Sequence, residues 1–437
     1  MEARRLGVVI AGLLVGVVTM AWGIQTADAV PWIERQKLLA SDGAEADQFG
    51  VSVSVSGTTA IVGANMDDDC GDYSGSAYVF EDNGSAWGQV AKLTASDGAA
   101  ADSFGLSVSV SGTTAVVGAF GDDDCGLGSG SAYLFEKGVS GWSQMAKLTA
   151  SDGTMFDSFG VSVAVSGTTA VVGAHLDDDC GSNSGSAYLF EDNGTAWVQT
   201  AKLTASDGAV DDYFGGAVSV SGMTALVAAN MDDDCGSGSG SVYVFENNGT
   251  AWVQVAKLLP SDGEAYDAFG VSVAVSGTTA VVGAYADDDC GSNSGSAYVF
   301  EDNGTAWVQV AKLLPSDIAA GDAFGFSVSV SGTTAVVGAQ WDDDCGSASG
   351  SAYVFEDNGT AWVQVAKLLP SDGAADDWFG RCVSVSGPTA IVGAFYNDDL
   401  GTSSGSAYIF TPIPEPATLA LVATGLTALV GFVRRRR

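Results

Sequence analysis

Aspartate triplets recur along the chain, at Asp67–Asp69, Asp122–Asp124, Asp177–Asp179, Asp232–Asp234, Asp287–Asp289 and Asp342–Asp344, with a shortened Asp398-Asp399. Hard carboxylate oxygens suit Ca2+. Neighbouring side chains diverge on extended backbone, so the first and third Asp of each triplet form the natural ligand pair. The expected metal positions are Asp67 with Asp69, Asp122 with Asp124, Asp177 with Asp179, Asp232 with Asp234, Asp287 with Asp289, and Asp342 with Asp344. Two unit charges about 6 Å apart in water repel by roughly 0.7 kcal/mol, so crowded carboxylates need an offset. Ca2+ of modest affinity is one such offset and the one cofactor the residues suggest. The competing expectation is that these carboxylates accept backbone N–H bonds in tight turns, or are solvated.

A second set could bind rather than ligate. The residues after each Val-Gly-Ala or its equivalent vary most, and include Phe120, His175, Tyr285, Trp341, Phe395 and Tyr396. Others precede a recurring Phe-Gly: Phe156, Tyr213, Tyr266 and Trp378. Aromatic side chains among polar loops are suited to contact a glycan or a protein. We take Phe120, His175, Tyr285, Trp341, Trp378, Phe395 and Tyr396 as candidate ligand contacts; drift in soluble loops and packing between repeats are the alternatives. No catalytic residue is expected. The single histidine, His175, has no nucleophile partner visible in sequence, and no carboxylate is singled out from its repeated copies.

These residues sit in a chain of 437 with 59 glycines, 46% hydrophobic residues and a formal charge of −37. That charge argues against a nucleic-acid partner, which needs clustered Lys and Arg. The hydrophobic content argues against acidic disorder. Phe-Gly recurs at Phe49, Phe104, Phe159, Phe214, Phe269, Phe324 and Phe379, always at 55 residues. Each unit holds four strand-like runs, in the first Phe49–Ser56, Thr59–Ala64, Gly75–Glu81 and Trp87–Thr94. Turn residues separate them.

Four short strands repeated seven times predict an all-β, seven-bladed β-propeller of four-stranded antiparallel blades. Trp32–Ser41 aligns with the fourth strand of later units, and the last unit stops after its third strand. The N-terminal strand is therefore expected to complete the last blade and leave no open edge. A β-solenoid is the rival, but it has no use for a missing strand that reappears at the other end. Alternating connections put the triplets, the Asp before each Phe-Gly and the Ser-Asp aspartates on one face. The recurring Trp and Lys of the fourth strands read as structural, the Lys as counter-charges. Six cysteines, one per unit after each triplet, are too far apart around such a ring for disulfides. Cys382 reads as small core filler.

Phe-Gly followed by Ser-Val and then Val-Gly-Ala resembles the FG-GAP repeat, over about residues 32–410. The resemblance implies a propeller akin to that of integrin α-subunits and a role in adhesion or binding. It departs where integrin-type repeats carry a calcium loop between the first two strands, since that link is only Ser-Gly-Thr-Thr, at Ser56–Thr59 and Ser111–Thr114.

The two ends read as addresses. A basic head, an apolar run from Leu6 and Ala27-Asp28-Ala29 form a signal peptide over 1–29. The propeller is assigned to 30–411, and 412–437 to a sorting tail. The tail runs Pro414-Glu415-Pro416, an apolar stretch Ala417–Val433, then Arg434–Arg437. At ~1.5 Å per residue that stretch is about 25 Å, near a bilayer core, so a C-terminal transmembrane helix is expected, at least before processing. The order resembles the PEP-CTERM sorting signal, which implies an exosortase partner and delivery to the cell surface or extracellular matrix. The function expected is an exported binding or adhesion protein. It engages an extracellular polysaccharide or surface protein through the acidic loop face, with Ca2+ assisting. The alternative is a passive structural component of the matrix without a specific ligand.

Overall fold

The computed structural model describes residues 31–413, which form 28 strands, β1–β28, in seven four-stranded antiparallel sheets. The first blade is β2 (Val53–Ser56), β3 (Thr59–Ala64), β4 (Ser76–Asp82) and β5 (Trp87–Leu93). Five more such blades follow at the same spacing. The seventh joins β26 (Val383–Ser386), β27 (Thr389–Ala394) and β28 (Ser406–Pro412) to β1 (Trp32–Leu38). There Ile33 faces Thr411 and Leu38 faces Ala407. The ring therefore closes as its sequence predicts, and no sheet edge is left for a missing strand.

The inner strands are shorter than the alternating pattern predicts. β2 begins at Val53, not Phe49, and only β22 (Phe324–Ser331) runs the whole expected length. Gly50, at φ 94°, interrupts the regular pairing there, and even in β22, where Gly325 has φ 89°, the register shifts between Phe324 and Ser327. Phe49 bridges instead to Gly405 of the preceding blade, and its fully buried ring packs edge-on against Tyr78 at 5.4 Å and Phe80 at 6.0 Å.

Each hydrophobic core lies between two blades rather than inside one. The core at the seam joins Phe49, Val53, Tyr78, Phe80 and Trp87 of blade one to Ile391, Ala407 and Ile409 of blade seven. Serines complete the contact near the axis. In every blade the Ser ending the inner strand accepts the N–H of a glycine one blade on, as Ser56 does from Gly112 at 3.1 Å. Ser52 Oγ donates to the Gly105 carbonyl at 2.7 Å. Cys382, expected as filler, packs on the seam core and also keeps this bond, its Sγ lying 3.0 Å from the Gly50 carbonyl. Burial pushes its thiol up to about 12. The six repeat cysteines are free thiols.

Candidate functional site

The acidic face is built from one motif used in six blades, with Asn397 in place of its first Asp in the seventh. Asp67 is buried and its carboxylate accepts four hydrogen bonds. Oδ1 takes the Asp69 N–H at 3.1 Å and the Ser76 hydroxyl at 3.0 Å. Oδ2 takes the Tyr78 hydroxyl at 2.8 Å and Lys92 Nζ at 3.0 Å. Lys92 also pairs with Asp42 at 2.8 Å and Asp69 at 2.6 Å. Lys147 holds Asp97, Asp122 and Asp124 in the same way, and Lys202 holds Asp152, Asp177 and Asp179. Lys257 does so with Asp207, Asp232 and Asp234, Lys312 with Asp262, Asp287 and Asp289, and Lys367 with Asp317, Asp342 and Asp344.

The charges tune one another. Burial disfavours the Lys92 ammonium, but the three carboxylates outweigh burial and raise its pKa. Burial likewise raises the Asp42 carboxyl, but hydrogen bonds from Lys92 and Tyr78 outweigh it and hold Asp42 below its usual value. Each Lys ammonium also lies near the ring of its Tyr, at 5.1 Å in the first blade.

This arrangement decides how the triplets fit a metal. The first and third carboxylates do converge, but on the chain's own Nζ. A carboxylate has about four lone-pair sites. The first Asp uses four in blades one to four and three at Asp287 and Asp342, and in each the Oδ2 that converges with the third Asp is taken by Lys. The pairs named from sequence therefore do not fit Ca2+ at their point of convergence. Among the described residues no group of three or more His, Cys, Asp or Glu side chains is arranged to hold a metal ion. The middle Asp serves the turn: Asp68 Oδ1 accepts the Tyr73 N–H at 2.7 Å.

A second buried carboxylate precedes each Phe-Gly. Asp47 is 7% exposed and accepts the Ala44 N–H at 2.7 Å. Burial, with the nearby Asp67 adding to it, pushes Asp47 up to about 6. Asp102, Asp157, Asp212, Asp267, Asp322 and Asp377 are raised in the same direction, with burial as the largest cause.

Against this sevenfold background one region is unique. Trp341 and Trp378 meet edge-to-face at 6.1 Å. Trp378 also packs on Phe395 at 5.7 Å and Tyr396 at 4.8 Å. The Arg381 guanidinium lies 4.2 Å from the Phe326 ring centre and 5.9 Å from that of Phe395, and reaches Gln340 Oε1 at 3.4 Å. Tyr285 extends the group through Phe326 at 5.5 Å. Trp341, Trp378 and Tyr396 are half-buried, so each keeps some surface in solvent. Among the described residues Arg381 makes no ion pair, and burial lowers its pKa.

Five of the candidate contacts thus converge: Tyr285, Trp341, Trp378, Phe395 and Tyr396. Phe120 and His175 lie in blades two and three and do not join them. His175 packs on Tyr213 at 5.8 Å, and burial lowers its pKa. The sequence reading missed Phe326, Gln340 and Arg381. Its available signal was the position after Phe-Gly, which reads Val51, Leu106, Val161, Gly216, Val271, Phe326 and Arg381. An Arg in a series of small apolar residues marks an exception. The recurring Trp of the outer strands are buried or half-buried, in keeping with a structural role. The signal segment 1–29, Pro414, Glu415, Pro416 and the apolar tail lie outside the described residues. Among those described, no helix is long and apolar enough to cross a membrane.

Comparison with known families finds the FG-GAP repeat at residues 32–80, 87–135, 142–190, 197–245, 252–300, 307–355 and 362–410. Each match opens on the outer strand of one blade and ends on the third strand of the next, the same offset that closes the ring. The PEP-CTERM protein-sorting motif matches residues 412–437. No curated protein matches the chain significantly.

Proposed function

Since the chain belongs to the FG-GAP repeat family and ends in a PEP-CTERM sorting motif, we propose that it is an exported surface or matrix protein that binds a glycan or protein partner through the Trp341–Trp378–Arg381 region. The sorting motif implies recognition by exosortase-type machinery. What supports a specific ligand is the convergence of Trp341, Trp378, Phe395 and Tyr396 around one unpaired guanidinium. A passive scaffold needs only seven equivalent blades; it has no use for an aromatic and cationic group confined to blades five to seven. Half-exposed Trp and Tyr faces offer stacking surface to a pyranose ring or an apolar side chain. The guanidinium offers planar hydrogen-bond donors to hydroxyl or carboxylate oxygens.

The test is binding of the mature protein to a glycan array and to the producing cell's own extracellular polysaccharide. Trp378→Ala and Arg381→Gln are expected to lower binding at least tenfold, while Met231→Ala, on the same face across the ring, leaves it unchanged. Equal binding by all three variants refutes a specific site and favours the passive component.

A further inference from the structure

The seventh blade is the one whose strands come from both ends of the described chain. It is also the one whose triplet begins with an amide: Asn397 stands where six blades have Asp. The turn that cradles a carboxylate elsewhere here cradles a carboxamide. Asn397 is 5% exposed. Its Oδ1 accepts the Asp399 N–H at 3.2 Å, the Ser406 hydroxyl at 2.9 Å and Lys37 Nζ at 3.3 Å. Its Nδ2 donates to Asp377 Oδ2 at 3.3 Å and lies 3.5 Å from the Tyr408 hydroxyl. Lys37 Nζ also pairs with Asp372 at 2.7 Å and with Asp399.

We propose that Lys37 and Asn397 react to form an isopeptide bond that locks the propeller ring covalently between β1 and the β27–β28 turn. Lys37 Nζ lies 3.3 Å from Asn397 Oδ1, the oxygen bonded to the carbon it must reach. Lys37 Nζ is the nucleophile, and Asn397 Cγ is the electrophile. The Asp399 N–H points at the oxygen on which charge develops as the carbonyl is attacked, and the Ser406 hydroxyl lies between that oxygen at 2.9 Å and Asp399 Oδ2 at 3.0 Å. The Asp399 carboxylate, paired with Nζ, takes a proton from the ammonium. Asp377 stands at the leaving nitrogen. Burial raises its pKa, which favours the protonated carboxyl able to give Nδ2 its proton. The Nζ–Cγ bond forms and the Cγ–Nδ2 bond breaks; the second proton leaving Nζ returns to the Asp377 carboxylate, and the departing ammonia takes up the proton held by Asp399. An ammonium and a carboxamide become a secondary amide and one ammonium ion, and nothing is oxidised or reduced.

The other six blades lack the electrophile. Their first Asp is a carboxylate bound to Lys. At Asp287 and Asp342 burial raises the carboxyl, but the Lys and backbone hydrogen bonds outweigh it and hold it below its ordinary value. An ionised carboxylate resists attack by an amine. The bond is thus confined to the one blade that chain connectivity leaves open.

The experiment is intact-mass spectrometry of the denatured mature protein, followed by peptide mapping. The expected mass is lower than the sequence requires by one ammonia, with a branched peptide joining Lys37 to Asn397. Asn397→Asp recreates the cradle of the other six blades, so it folds, and it is expected to show no branched peptide. Asp377→Asn is expected to lose the branch as well. A wild-type chain of full sequence mass overturns the proposal. So does a loss of ammonia that maps to a succinimide in one of the Asn-Gly loops while Lys37 stays linear.

Discussion

Gly57 donates its backbone N–H to Ser386 Oγ at 3.0 Å, across the seam where the first blade meets the last. Six other glycine–serine pairs have the same geometry at 3.0–3.1 Å, so the seam is one more repeat of a common interface. Ser386→Ala and Ser56→Ala are therefore expected to cost the same, each about 1 kcal/mol. Urea unfolding of the two variants checks this; a far larger loss at Ser386 shows that the seam is special.

Gly405 approaches the next blade more closely. A Cβ there lies 2.0 Å from the Phe49 carbonyl oxygen, and its φ is 83°. Gly405→Ala is expected to cost at least ~3 kcal/mol, because neither backbone can withdraw. Gly84, at φ 88° in a hairpin with open space around it, is the control. Its replacement by Ala costs about 1 kcal/mol. Thermal unfolding that ranks the two equally contradicts the packing described.

Lys92 is the counter-ion of three carboxylates. Lys92→Met is expected to destabilise by about 2–4 kcal/mol, the cost of leaving buried Asp67 unpaired, moderated because Asp42 and Asp69 stay half in solvent. Adding Asp67→Asn is expected to restore part of the loss, and Asn397 is the chain's own precedent for that residue in that turn. Denaturation of both variants gives the comparison.

Stability is expected to peak in mildly acidic solution. Asp47 has a folded pKa of about 6 against an ordinary 3.8. The fold therefore favours its protonated form, and that stabilisation is complete below 3.8 and lost as pH rises through about 6. For Asp47 alone the loss is on the order of 3 kcal/mol, and six equivalents shift in the same direction. Asp42, Asp97, Asp152, Asp207 and Asp372 are shifted down, so their stabilisation is present above 3.8 and lost as pH falls through their folded values. Tm should rise as pH is lowered from about 8 to about 5 and decline in stronger acid. Asp47→Asn should make the upper limb shallower by that residue's share, the six equivalents keeping the rest. A Tm that climbs steadily to pH 8 contradicts these assignments.

The ring was legible because its period never slips: 55 residues without an insertion fix blade number and closure. The crowding of acids on one face followed from strand alternation alone. Their neutralisation did not, because Lys92 meets Asp42 from 50 residues away and only across a blade boundary. The first and third Asp of a triplet do approach one another, and what lies between them is an ammonium. Separation in sequence also hid Arg381, whose neighbours Phe326 and Gln340 come from the preceding blade.

A cation effect follows from that ammonium. Ca2+ is expected to raise Tm no more than Mg2+ at equal ionic strength, since both act by screening a strongly acidic face. A calcium-specific rise that a chelator reverses places a true site elsewhere on that face.

The central claim is that one asymmetric region on a sevenfold ring carries recognition. Hydrogen–deuterium exchange of the mature protein, free and bound to its own cells' extracellular polysaccharide or surface extract, tests this most directly. Protection confined to peptides carrying Phe326, Gln340-Trp341, Trp378–Arg381 and Phe395-Tyr396 is the predicted result. Protection spread evenly over all seven blades, or none at all, contradicts it.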